Sequence, residues 1–139
     1  LLGVFPYSFS YHDNHDSIYN SYWDEIISDV HGSTVAVEDV RSFIYYAKKK
    51  YHDKYNTGFP WDDIGVVELK YNPNNNKDNI KNLEELSTTF VCLDSVGRYK
   101  SEMIDQLNNS GYKEYKRYGS WILFKRIIGG GNGWRKTNL

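Results

Sequence analysis

The chain has 139 residues, 40% of them hydrophobic and 17% aromatic, and its 17 basic and 18 acidic residues leave a formal net charge of −1. That length predicts one domain with a core that needs no staples, and the apolar content excludes a chain disordered over most of its length. The charge balance excludes a nucleic-acid surface, because no basic block exceeds Lys48-Lys49-Lys50, which is expected to be the solvated, dipole-favoured end of a helix.

The chain opens on Leu1-Leu2-Gly3-Val4-Phe5-Pro6 rather than on methionine, and its one Met is Met103. This opening is expected of a fragment, a processed chain or an excised domain. No apolar stretch approaches the roughly 20 residues needed to cross a bilayer, so any membrane segment is expected before Leu1. Residues 7–22 are polar and tyrosine-rich, and predict an irregular lead-in. From Ser21 the pattern turns helical: Tyr22, Trp23, Ile26, Ile27 and Val30 recur at spacings of three and four, with Gly32 as the C-terminal cap.

Thr34 to Val37 is short and β-branched, and predicts a buried strand. After Glu38 and Asp39 the spacing is helical again through Ala47 and into the lysines. His52 to Asp63 carries Gly58 and Pro60 and reads as a loop pinned by Phe59 and Trp61. Ile64 to Tyr71 is a second strand, and YNPNNNKDN a turn-forming, mobile segment. Ile80 to Leu86 predicts a short helix capped by Asp78 or Asn79. Thr88 to Leu93 is a third strand, and Arg98 to Leu107 a helix with Tyr99, Met103, Ile104 and Leu107 on one side. A terminal hairpin follows, from Gly111 to Tyr115 and from Ser120 to Ile128, with its turn at Tyr118-Gly119.

Strands alternating with helices predict a small Rossmann-like α/β layered sheet, mostly parallel, with a C-terminal antiparallel hairpin at its edge. Right-handed crossovers then place helices on both faces. Residues 1–128 are expected to form this single domain, with 1–20 as the lead-in and 129–139 as a flexible tail.

Ligands of an open α/β sheet bind at the carboxyl ends of its strands. Glu38, Asp39 and Asp94 are predicted to sit there, with Arg41 and Arg98 close by, and together these five are the candidate ligand-binding residues. The stronger reading is structural. Asp39 and the Asp94-Ser95 pair stand where helices begin, and each arginine can pair with an acid. Glu38 is not needed as a cap, which makes it the best single candidate for a contact. His12 and His15 in YHDNHD are weak metal candidates, three residues apart without helical pattern. Cys92, the single cysteine, excludes an internal disulfide and reads in FVCL as a buried, inert thiol. No nucleophile elbow, phosphate-binding loop or dinucleotide fingerprint is present, so no cofactor and no catalytic residue is assigned. Asn108-Asn109-Ser110 fits an N-glycosylation acceptor, relevant to an exported chain. The 13 tyrosines and 4 tryptophans suit interfaces, carbohydrate stacking and headgroup regions, and equally the half-buried positions of strands.

Two stretches, WDEIISDVHGSTVAVEDVRSFIYYAKK and ELSTTFVCLDSVGRYKSEMIDQLNNSGYKEYKRYGSWILFKR, resemble the soluble C-terminal domain of polytopic membrane glycosyltransferases of the GT-C, dolichyl-phosphate-mannose-dependent type. The resemblance runs from about Tyr22 to Arg126. It rests on a Trp helix leading to VAVED, the paired Tyr45-Tyr46, the strand VCLDS, and the ending of helix, Gly-Tyr, turn and WILFKR. It implies a non-catalytic domain on the extracytoplasmic side of the membrane. There it supports the membrane part of the same polypeptide or positions a glycan acceptor or lipid-linked sugar. The family's catalytic acids lie in the membrane part, so none carries over to this chain. The alternative is a stand-alone α/β binding or interaction module without activity. A third reading, a small acyl- or methyltransferase, needs a Gly-rich turn that VGRYK matches thinly.

Overall fold

The computed structural model describes residues 22–55, with the backbone alone for 52–55, and residues 63–127. His12, His15, the pinned loop around Phe59 and Trp61, and the tail 129–139 lie outside these residues.

Helix α1 covers 22–30 of the described residues and turns Trp23, Ile26, Ile27 and Val30 fully inward. Gly32, at φ +83, ends it in the left-handed region. Strand β1, Thr34–Val37, is the β-branched run expected. Helix α2, Val40–Tyr55, buries Phe43, Ala47 and Tyr51 at successive spacings of four. That stripe carries the helix past Lys50 to Tyr55, through the first residues of the expected loop. The lysines therefore lie inside the helix and not at its end. Strand β2, Gly65–Glu68, is shorter than expected.

Helix α3, Asn76–Glu84, begins four residues earlier than its apolar spacing predicts. The Asn75 side chain caps it, accepting from the Asp78 N–H at 3.2 Å. Asn79 is not the cap. It is fully buried, its Oδ1 accepting from the Asn72 N–H at 2.7 Å and its amide donating to the Asn72 carbonyl at 2.8 Å. YNPNNNKDN is thus pinned from within its own helix, and its turn shrinks to residues 73–74. Strand β3 is Phe90–Asp94, α4 is Lys100–Asn109, β4 is Tyr112–Tyr118 and β5 is Trp121–Arg126. Gly119, at φ +63, forms the hairpin turn.

The strands form one mixed sheet in the order β2-β1-β3-β5-β4. The first three are mutually parallel, whereas β5 runs antiparallel to both β3 and β4. The chain steps outward from β1 to β2, then back past β1 to β3. Crossovers of one hand taken in opposite directions put α2 and α3 on opposite faces. One face packs α1 and α2 onto Val35, Val37, Cys92 and Leu123, and the other packs α3 and α4 onto Ala36, Val91, Leu93, Ile122 and Phe124. Burial on both faces explains why VAV and FVCL are unbroken apolar runs. Among the described residues no helix is long and apolar enough to cross a membrane.

Candidate functional site

The order 2-1-3 reverses direction between β1 and β3, which is where ligands of doubly wound sheets bind. Glu38 directly follows β1 and Asp94 ends β3, so the two straddle this point. Their partner is a residue that no motif or spacing marks. Lys100, 1% exposed, opens α4 and sends its ammonium back under the β3–α4 turn. Its Nζ donates to the two Glu38 carboxylate oxygens at 2.8 and 3.0 Å, and to the Asp94 carbonyl at 2.8 Å. It lies 4.2 Å from the centroid of the Tyr71 ring. Glu38 Oε1 also accepts the Asp94 N–H at 3.1 Å. Charge, hydrogen bonds and an aromatic face together offset the desolvation of the ammonium.

The remaining candidates serve the backbone. Asp39 caps α2: its Oδ1 accepts the Ser42 N–H at 3.1 Å and its Oδ2 the Ser42 hydroxyl at 2.7 Å. Asp94 caps no helix, because α4 starts six residues later. Its Oδ1 accepts the Val96 N–H at 3.0 Å, closing a tight turn. Arg41 and Arg98 are exposed, and neither pairs with an acid among the described residues. Arg98 lies 5.2 Å from the Tyr99 ring centroid, and its carbonyl accepts the Tyr71 hydroxyl at 2.7 Å. Sequence thus places Glu38, Asp39 and Asp94 at one end of the sheet. It does not supply Lys100 or Tyr71, and among the described residues the expected arginine pairing does not form.

Tyr71 also explains Gly97. The glycine stands at φ +139, and a Cβ there would come within 2.9 Å of the Tyr71 hydroxyl. Tyr99, the residue before α4, holds φ +67 with no side-chain cap. The turn is thereby tightened over the ammonium, at a cost of roughly 1–2 kcal/mol for a non-glycine residue.

Cys92 lies beneath this cluster in β3 and is fully buried. Burial, reinforced by the carboxylates of Glu38, Asp39 and Asp94, pushes its thiol far above the usual range, as an inert thiol requires. A second polar cluster lies near the amino ends of the strands. His31 Nε2 stands 3.5 Å from Asp63 Oδ2, and its ring stacks on Tyr51 at 5.4 Å. Ser28, His31, Lys50 and Tyr51 line an opening of about 500 Å³ there. Both members of the His31–Asp63 pair are exposed, at 38% and 46%, so solvent screens it. Among the described residues no group of three or more His, Cys, Asp or Glu is arranged to hold a metal ion.

No protein family, curated protein or solved structure was found to match the chain.

Proposed function

We propose that this chain is a non-catalytic α/β domain of a membrane-embedded GT-C-type glycosyltransferase. It sits on the extracytoplasmic side and supports the membrane part or positions an acceptor or lipid-linked sugar. Its sheet belongs to the Rossmann-like class, a reading supported by the 2-1-3 order of its parallel strands. The resemblance of residues 22–126 to such domains names the family. The observation that carries the non-catalytic role is the state of Glu38. Glu38, which caps no helix, is held on both oxygens by a buried lysine, at the place where a substrate would bind. A carboxylate so engaged holds two strand ends together.

The test is made on the parent polypeptide in membranes, with dolichyl-phosphate-mannose as donor and a glycan acceptor. Mannose transfer is expected to need the membrane part, while this domain alone transfers nothing. Glu38→Gln is expected to lower transfer only in proportion to the folded protein lost. A reading frame without membrane spans ahead of Leu1 would overturn the assignment. So would a turnover loss in Glu38→Gln well beyond its loss of folded protein.

A further inference from the structure

The two edges of the sheet are built differently. Strand β4 is charged along its middle and irregular between Glu114 and Lys116, which defends it against another strand. Strand β2 is short but has neither device: it keeps one register with β1, and Val67 is 47% exposed. Its ladder with β1 engages alternate residues. The N–H groups of Gly65 and Leu69 donate to the Ser33 and Val37 carbonyls at 3.0 and 2.9 Å. The N–H groups of Val66, Glu68 and Lys70 therefore point away from the sheet. Among the described residues none of these three donates to another group. The Lys70 carbonyl accepts the Asn82 side-chain amide at 3.3 Å, which leaves its second lone pair open.

The charges along this edge select what fits it. Glu68 and Lys70 are consecutive outward residues of opposite sign, both exposed, and neither forms an ion pair among the described residues. An antiparallel copy of the same strand, centred on Leu69, sets each Glu68 opposite Lys70 of the second copy. Both are then hydrogen-bonded pairs, because the even-numbered residues carry the free amides. Centring on Glu68 or on Lys70 sets like charges opposite each other, which is destabilising. Centring on Val67 sets Glu68 opposite Val66 and leaves both charges unmatched. An unrelated strand matches this edge only if it carries the same base and acid in step, whereas a second copy carries them by symmetry.

We propose that β2 pairs with β2 of a second copy of this chain, antiparallel about a two-fold axis at Leu69. The two five-stranded sheets become one, with β4 at both ends. Association stops at two, because only the charged, irregular β4 edges remain. The partner strand runs past Val67 and covers it. The contact is short, so the edge is open in the dilute chain and pairs as concentration rises. The inference does not depend on the transferase reading.

The experiment is sedimentation velocity on the full chain from about 1 μM to about 1 mM, where a reversible dimer is expected. Glu68→Lys and Lys70→Glu each set like charges opposite one another at both symmetric pairs. Each alone is expected to raise the dissociation constant at least about tenfold. Together they restore opposite signs, and the double variant is expected to return within about threefold of the parent chain. Glu68→Pro removes one outward N–H without touching the ladder to β1, and is expected to give a folded monomer. Lys113→Glu makes the same charge change as Lys70→Glu on exposed β4 and is expected to dimerise within about twofold of the parent. A chain that stays monomeric throughout, a dimer indifferent to the reversals, a double variant that does not recover, or an equal loss in Lys113→Glu overturns the proposal. So does hydrogen exchange that finds the outward amides of β2 protected in a monomeric chain, because a different strand then holds the edge.

Discussion

At the residue scale, the buried lysine governs the strand-end cluster. Lys100 and Glu38 stand 62 residues apart in sequence and meet at 2.8 Å. Taking one partner from a buried pair strands the other, at about 3–5 kcal/mol. Glu38→Gln and Lys100→Met are each expected to destabilise by about that much in urea unfolding. The double variant is expected to be well more stable than the sum of the two losses implies, giving a coupling on the order of 1–3 kcal/mol. Additive losses would mean that the two side chains do not act together. Cys92 and Tyr118 set the alkaline limit. Burial raises the Tyr118 phenol, as does the bond it donates to Asp29 at 2.7 Å. Both groups have folded values above their unfolded ones, so the unfolded chain gives up each proton first. Their stabilising effect is complete below about pH 8.5 for the thiol and about pH 10 for the phenol, and it falls away as pH climbs. Melting temperature is therefore expected to decline from about pH 8.5 upward. Tyr118→Phe is expected to remove the part of that decline that begins near pH 10.

At the scale of elements, legibility follows how local the cause is. Strand β1 is readable to the residue, because β-branched side chains bounded by glycine and two acids leave little choice. The start of α2 is equally plain, since an acid before a helical stripe is a cap. Replacing Asp39 with alanine is expected to cost about 1 kcal/mol, measured by denaturant unfolding. Asp39→Ser, which keeps a capping oxygen, is expected to recover most of it. The end of α2 is misjudged when Gly58 and Pro60 are allowed to outweigh Tyr51, whose burial extends the stripe by a turn. The start of α3 is misjudged because asparagines look like turn formers. Here one caps the helix and another, Asn79, is buried on the Asn72 backbone. The edges of the sheet differ in a way no pattern announces. Strand β4 is charged along its exposed middle and carries an irregularity between Glu114 and Lys116, both of which discourage pairing with another chain.

For the whole molecule, the sheet order ranks the strands by protection. β1 and β3 have a strand on either side and helices over both faces, whereas β2 is an exposed edge of four residues. Native-state hydrogen exchange is expected to be slowest at Val35, Val37, Val91 and Cys92, and faster by orders of magnitude at the outward-facing amides of β2. Uniform exchange across the five strands would contradict this order. What the amino-acid sequence determined alone is the class of the fold and its local punctuation. Short unbroken β-branched or apolar runs decide the central strands and spacings of three to four the helices, and turn and cap chemistry acts over three or four residues. What only the tertiary structure decided is which ends meet. The 2-1-3-5-4 order, the junction of Glu38 with Lys100 and the burial of Asn79 depend on contacts between residues far apart in the chain or on the packing around them. Such contacts form only when burial of two apolar faces brings distant segments together, and local periodicity holds no record of them.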